Sequence, residues 1–371
     1  MGNKKRFIVS GGGTGGHIFP AISIAKAIMR IDPNAEIMFV GAHGRMEMEK
    51  VPAAGFKIIG LPIQGLQRSS IFKNISFLPK LLISLFKCRS IIKEFKPDAV
   101  IGVGGYASAP LLRTAQRMGI PTLIQEQNSY AGVTNKWLSR NANCICVAYD
   151  GMEKFFPKDK IVFTGNPVRQ DLQSLTASAT DATNFFGLNP NLRTVLVVGG
   201  SLGARTINDS IVANLDLLLK QRIQIIWQTG KIYYDKVLTE VAKSNVENQQ
   251  NLHIYQFINR MDLAYTAADV IVSRAGAGTI SELCLVGKPT ILVPSPNVAE
   301  DHQTKNAQAL TQRGAAVMVP DSEAVASIGD KIKMMLENDD KMVSMRIKMR
   351  EMGIKNSDEL IANEVFKFIK K

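Results

Sequence analysis

Three glycine-rich stretches in the 371-residue chain have the composition and placement to hold an anion. They are Gly11-Gly12-Gly13-Thr14-Gly15-Gly16, Gly104-Gly105-Tyr106-Ala107-Ser108-Ala109-Pro110 and Gly199-Gly200-Ser201-Leu202-Gly203-Ala204-Arg205. Each follows a short apolar run. Glycine there lets backbone N–H groups approach an anion, and the start of a following helix adds partial positive charge. One such loop would read as tight strand–helix packing. Three, spread over both halves, point to a ligand cleft between two domains. Gly11, Gly13 and Gly16 also fit a dinucleotide fingerprint, but the second strand ends Val40-Gly41-Ala42-His43, with no carboxylate to hold an adenosine ribose. A nicotinamide dehydrogenase is therefore disfavoured. Gly287-Lys288 is followed by Pro289, so no P-loop is present. Among the histidines, His17 follows the first loop and His302 lies in the polar cluster Glu300-Asp301-His302-Gln303, and either is placed to act as a base. His253, in a strand pattern, reads as structural, and His43 as a loop residue of no stated role. No Asp-x-Asp pair is present to hold a nucleotide diphosphate through a metal. Neutralisation by basic side chains and helix ends is expected instead, without metal or cofactor.

The elements that must position these residues alternate between strand and helix. Strand patterns cover residues 7–10, 36–40, 99–103, 121–124 and 143–147, with a helix pattern over 20–30. The motif restarts at 194–198, passes through the third glycine loop into a helix over 208–219, and continues with strands at 223–228, 253–255, 270–273 and 290–293. Such alternation predicts parallel sheets in two Rossmann-like, doubly wound α/β domains. The expected division is 1–164 and 165–353, followed by a helix over 354–371. That tail opens with a capping-box pattern, Asn356 and Glu359, and places Ile361, Val365, Phe368 and Ile369 on one face that must pack on something.

Composition narrows the class further. Hydrophobic residues make up 46% and charged residues 21%, which is globular rather than disordered or collagenous. No apolar run approaches the ~18–20 residues of a membrane span, and the apolar stretch 7–9 is too short for a signal peptide. Cys88, Cys144, Cys146 and Cys284 are too few and too oddly spaced for a disulfide framework or a zinc site, so reduced thiols in the cytosol are expected. The net charge of +13 is uneven: residues 1–164 hold 22 Lys and Arg against 10 Asp and Glu, and residues 165–371 hold 23 against 22. The first half should therefore attract something anionic, whether nucleic acid, an acidic lipid surface or a phosphorylated ligand. Residues 68–96 concentrate the pattern, with Arg68, Lys73, Lys80, Lys87, Arg89, Lys93 and Lys96 against Glu94 alone. Interleaved apolar residues include Ile75, Phe77, Leu81 and Leu85, which suits docking at an anionic membrane surface; core packing would claim part of them. Nucleic acid is not expected, since no RRM, KH or zinc-finger signature accompanies the charge.

The three glycine loops, in this order with Glu126-Gln127-Asn128, Gly165-Asn166-Pro167-Val168-Arg169 and Gly278-Thr279-Ile280-Ser281-Glu282, resemble the MurG family of bacterial transferases. The resemblance runs from about Arg6 to the C-terminal helix. It implies a GT-B glycosyltransferase fold of two Rossmann-like domains facing a cleft, with the final helix crossing back to the first domain. It implies inverting transfer of GlcNAc from UDP-GlcNAc to lipid I, giving lipid II with a β-1,4 bond, at the cytoplasmic face of the inner membrane. It further implies that Glu282 holds the donor ribose and that Arg169 and Ser201 contact the diphosphate. Phe257-Ile258 would form the uracil site, with the Ile258 backbone on the base edge, and Gln303 would contact the sugar. Thr279 and Ser281 would complete the donor site, while Asn128, Thr14, Gly15 and Gly16 would reach it from the first domain. His17 takes the position of the base for the acceptor C4 hydroxyl, with loop ordering as its alternative, and Gly104, Gly105 and Tyr106 would receive the acceptor diphosphate. Some family members carry two consecutive glutamines where this chain has His302-Gln303; one contact is kept, and His302 would substitute for the other by hydrogen bonding. Rival readings are a diacylglycerol glycosyltransferase and a UDP-GlcNAc 2-epimerase, and, outside enzymes, a nucleic-acid binder.

Overall fold

Uninterrupted runs of Val, Ile and Phe make strands that can be buried on both faces, which is the mark of a parallel sheet. The computed structural model describes residues 4–65, 77–173, 175–244 and 246–369. It divides into two units, Met1–Val168 with Asn356–Lys371, and Arg169–Lys355. Gly165–Val168 fall in the first unit because Asn166 is tied there: Gln125 Nε2 donates to its Oδ1 at 2.8 Å and its Nδ2 donates to the Gln127 carbonyl at 3.0 Å.

In unit 1 the strands are β1 (Arg6–Ser10), β2 (Glu36–Ala42), β3 (Lys57–Leu61), β4 (Ala99–Gly102), β5 (Thr122–Glu126), β6 (Cys144–Val147) and β7 (Ile161–Phe163). They form one parallel sheet in the order β3-β2-β1-β4-β5-β6-β7. In unit 2, β8 (Arg193–Val198), β9 (Ile223–Gln228), β10 (Leu252–Tyr255), β11 (Val270–Ser273), β12 (Thr290–Leu292) and β13 (Val317–Met318) form a second, in the order β10-β9-β8-β11-β12-β13. Each sheet reverses its winding beside its first strand, between β1 and β4 and between β8 and β11. A crevice opens at the carboxyl ends of strands where winding reverses, and α/β proteins bind ligands there. The first two glycine loops leave β1 and β4, and the third leaves β8. The topology thus sets every glycine loop at a switch point.

The edge strands β3, β7 and β13 carry no strand pattern in the reading above. Two helices begin earlier than expected, at Gly15 rather than Pro20 and at Arg205 rather than Asn208. The C-terminal helix, Ser357–Ile369, packs in unit 1 on the helix Gly15–Ile31. Its Ile361, Ala362, Val365 and Phe366 enter the core, with Phe366 edge-on to Phe7 at 5.6 Å between ring centroids. Phe368 and Ile369 pack half-buried against that cluster. At the start of this helix Asn356 has a left-handed φ of 54°, whereas a capping residue is ordinarily extended, and Glu359 meets Arg30 at 3.4 Å. Arg30 also pairs with the buried Asp358 at 2.7 Å. All four cysteines are free and buried.

Lys288 illustrates a buried charge in unit 2. Its ammonium donates to the carbonyls of Thr266 (3.1 Å) and Ala268 (2.7 Å), at the end of the helix Met261–Ala267. Burial, reinforced by the Arg346 charge, pushes its pKa down to about 8. Between that value and the ordinary 10.5 the unfolded chain binds more protons than the folded one, so stability rises with pH across this window. Urea unfolding at pH 7.5 and pH 10 should show a gain on the order of 3 kcal/mol from this group, present in the natural chain and missing in Lys288→Met.

Candidate active site

The carboxyl edge of the unit 1 sheet is held by buried side-chain oxygens. The Glu47 carboxylate, fully buried, accepts from the amides of Gly13 (3.1 Å) and Ala42 (3.0 Å), fixing the first loop against the end of β2. Thr14 is extended and opens the helix Gly15–Ile31, with His17 N and Ile18 N donating to its carbonyl. Gly15, Gly16 and His17 therefore form the first helical turn, and His17 lies on a helix rather than after a loop. Its Nδ1 meets the Thr14 hydroxyl at 3.1 Å. The other edge of the ring lies against Gly104, where a Cβ would stand 3.0 Å from Nε2. Gly105 is obligatory: at φ 80° its missing side chain would overlap the Gly12 carbonyl, so the two loops meet backbone to backbone. The Tyr106 ring packs beside Gly13 and Gly65.

Asn128 lies in the next loop along. Its amide and Nδ2 donate to Glu126 Oε1 at 3.1 and 3.3 Å, while Glu126 Oε2 accepts from Gly132 N (3.1 Å) and Asn135 Nδ2 (2.8 Å). Gln127, also buried, donates to the Val103 carbonyl at 2.7 Å and ties this loop to the end of β4. Thr14, Gly15, Gly16, His17, Gly104, Gly105 and Tyr106 are thus brought together, with Asn128 beside them.

In unit 2 the third loop leads into the helix Arg205–Lys220, and the loop after β11 leads into the helix Ala277–Val286. Ser201 is exposed on the first of these loops. Thr279, Ser281 and Glu282 lie on the second helix, where the Ser281 hydroxyl donates back to the Ala277 carbonyl at 3.0 Å. The buried Tyr265 hydroxyl donates to Glu282 Oε2 at 3.2 Å. Burial first, then the Glu282 charge, holds that phenol well above its ordinary pKa, and the positive charge of Arg169 acts in the opposite sense. Arg169, Tyr265 and Glu282 are therefore electrostatic neighbours. Gln303 turns its carboxamide oxygen inward, accepting from Ala275 N (3.2 Å) and Ser295 N (2.9 Å), which leaves its NH2 as the group to offer a ligand. The residues before it, Glu300 and Asp301, both hold left-handed φ values, 54° and 53°. Consecutive strain of this kind in non-glycine residues collects at functional turns. The Ile258 amide is already engaged, donating at 2.8 Å to Gln228.

Four helices that begin at these edges, at Gly15, Ser108, Arg205 and Ala277, have neither a side-chain cap nor an acid in the first turn. With no side chain capping them, their first turns suit an anion. Glu47, Tyr265 and Gln228 carry no motif and were not legible as site residues; each acts on a partner at least 17 residues away in at least one contact.

Ile75 and the start of the expected docking segment lie outside the described residues. From Phe77 to Phe95 the segment is a helix. Phe77, Leu81 and Leu85 are half-buried and Leu81 packs on the core, because Ser84, Cys88, Ile91 and Ile92 on the same face turn inward. The exposed apolar side chains are instead Leu78, Leu82, Ile83 and Phe86, the last 75% exposed. Lys80 and Lys87 are tied to Gln64 and the Gly60 carbonyl, leaving Arg89 and Lys93 outermost. No helix among the described residues is long and apolar enough to cross a membrane.

Two parallel Rossmann-like units, each with anion-ready helix ends at its switch point, are the two halves of a GT-B glycosyltransferase, as the family and structure matches show. Residues 7–147 match the N-terminal domain of glycosyltransferase family 28 and residues 194–364 match its C-terminal domain. The chain is 56% identical over 99% of its length to the UDP-N-acetylglucosamine--N-acetylmuramyl-(pentapeptide) pyrophosphoryl-undecaprenol N-acetylglucosamine transferase of Bacteroides thetaiotaomicron, covering 98% of that protein. It is 55% identical over 100% of its length to the transferase of the same name from Phocaeicola vulgatus, covering 98% of that one. Its structure is similar to that of MurG from Acinetobacter baumannii, with TM-score 0.79, 30% identity and coverage of 98% and 99% of the two chains. The chain belongs to glycosyltransferase family 28, within its MurG branch.

Removing the Glu47 carboxylate strands two backbone amides. Glu47→Ala should lower unfolding free energy by about 2–4 kcal/mol, given ~1–3 kcal/mol for each buried group left unpaired. Chemical denaturation measures this directly.

Proposed function

We propose that this chain transfers N-acetylglucosamine from UDP-N-acetylglucosamine to the C4 hydroxyl of the N-acetylmuramoyl group in lipid I, giving lipid II. The observation that carries the reading is identity of 56% over nearly the full chain to a transferase named for that donor and that acceptor. The acceptor oxygen attacks the anomeric carbon of GlcNAc. The bond from that carbon to UDP breaks, and its electron pair leaves on the diphosphate. A single displacement inverts the centre. The C4 hydroxyl proton passes to His17, whose ring is steadied by the Thr14 hydroxyl. Charge growing on the leaving UDP is met by Arg169, Ser201 and the uncapped amides of the helix Arg205–Lys220.

Glu282 accepts hydrogen bonds from the ribose hydroxyls, its carboxylate oriented by Tyr265. Ile258 lies at the base, Gln303 offers its NH2 to the sugar, and Thr279 and Ser281 flank them. Thr14, Gly15, Gly16 and Asn128 serve the transferred sugar, and Gly104, Gly105 and Tyr106 receive the acceptor diphosphate. In this reading no metal takes part, and the diphosphate charge is neutralised by Arg169 and helix ends. The enzyme works as a peripheral protein on the cytoplasmic face of the inner membrane. The exposed Leu78, Leu82, Ile83 and Phe86 enter the headgroup boundary beside Arg89 and Lys93.

UDP release from UDP-GlcNAc should require lipid I and continue in excess EDTA. Glu282→Ala should weaken UDP binding by about 10–100-fold, the worth of a charge-assisted hydrogen bond. His17→Ala should lower turnover by about 100-fold or more with UDP affinity retained; near-normal turnover would return His17 to loop ordering.

Co-sedimentation tests the surface. Binding should favour anionic over neutral vesicles, fall with salt, and drop by about tenfold or more in Leu82→Ser with Phe86→Ser, since each loses an apolar group worth ~1.5–3 kcal/mol when buried.

A further inference from the structure

Gln228 ends β9, the strand between β8 and β10. It is buried, and its carboxamide spans the sheet edge in both directions. On one side Nε2 donates to the Gly200 carbonyl in the third glycine loop at 3.1 Å. On the other side Oε1 accepts from the Ile258 amide at 2.8 Å. The two partners fix the orientation of the amide, since a carbonyl can only accept and an N–H can only donate. The next residue, Thr229, repeats the bridge. Thr229 N donates to the Tyr255 carbonyl at 3.0 Å. Gly203, at φ 85°, sits so close to the Thr229 carbonyl that a side chain there would overlap it. The turn after β9 is thus packed against the diphosphate loop on one flank and the base loop on the other.

We infer that Gln228 is a positioning residue for the donor nucleotide, coupling the base loop to the diphosphate loop and setting the direction of the Ile258 backbone that reads the base. The inference rests on the assignment of these two loops to a uridine nucleotide. With Gln228 in place, the carbonyl of Gly200 is drawn inward, so neighbouring amides of that loop turn toward the diphosphate. The Ile258 peptide is held in one orientation with its N–H taken by Gln228, which leaves its carbonyl to accept from the N3–H of uracil, a donor that cytosine lacks.

The test is calorimetric titration of uridine, UDP and CDP into the full chain and into Gln228→Met, a side chain of similar length without either hydrogen bond. UDP affinity should fall about tenfold, the loss of one to two buried hydrogen bonds. The preference for UDP over CDP should fall several-fold as well, and kcat at saturating UDP-GlcNAc should stay within about twofold, because Gln228 touches no reacting atom. If Gln228→Met does not fold, Gln228→Glu carries the test: it keeps the acceptor for Ile258 and loses the donor to Gly200, so UDP should weaken while uridine is held as before. UDP affinity within twofold of the natural chain in the variant that folds overturns the inference. So does a weakening by Gln228→Met with the UDP-over-CDP ratio unchanged, or an equal weakening of uridine and UDP by Gln228→Glu. Failure of the natural chain itself to bind UDP overturns instead the nucleotide assignment.

Discussion

A loop that is to hold an anion must keep most of its amides pointing outward, and so it can fix itself with few backbone hydrogen bonds of its own, such as Gly203 N to the Gly200 carbonyl at 3.1 Å. Everything at the two sheet edges follows from that constraint. The holding groups are supplied from beneath by buried oxygens: Glu47 for the first loop, Glu126 for the segment with Asn128, and Gln303 for the turns at Ala275 and Ser295. Each reaches up from a strand end or helix start and takes inward-facing amides, leaving outward-facing ones alone. Buried polar groups carry a cost unless every one is paired, and that condition makes these loops rigid in one arrangement.

The same economy of position governs the acids. Carboxylates are placed below the loops or, as with Glu282, where hydroxyl groups rather than phosphates are expected. None occupies the first turn of the four helices that open at the sheet edges. An acid there would fill the positive end of the helix and repel the ligand. Arg169 adds a positive charge near Tyr265 and Glu282.

What the amino-acid order disclosed depended on whether a feature is local. Glycine loops are legible because only glycine fits, and the central strands are legible because burial on both faces demands apolar runs. The edge strands β3, β7 and β13 escaped because they are short or only partly buried, as Lys57 and Phe163 show. On the helix Phe77–Phe95, the rows Phe77-Leu81-Leu85 and Leu78-Leu82-Phe86 are equally apolar at the same spacing, so the order of residues cannot say which faces the core; Cys88, Ile91 and Ile92 decide it by packing. Proline at position 20 suggested a helix start, yet the turn that carries His17 is set by Thr14, whose extended backbone accepts the first helical bonds. Glu47 and Gln228 act through contacts formed only when distant strands align, and nothing nearby in the chain announces them.

The return of Ser357–Ile369 to unit 1 imposes an order on synthesis. Unit 2 is a single continuous stretch, Arg169–Lys355, and can complete its core while the chain is still emerging from the ribosome. Unit 1 begins first and finishes last. Until Phe366 and Val365 arrive, the groove formed by Phe7 and the apolar face of Gly15–Ile31 stands open to water and to other nascent chains. The older half therefore waits for the younger one, and a chaperone that shields exposed apolar surface would find its target in the first unit throughout the translation of the second.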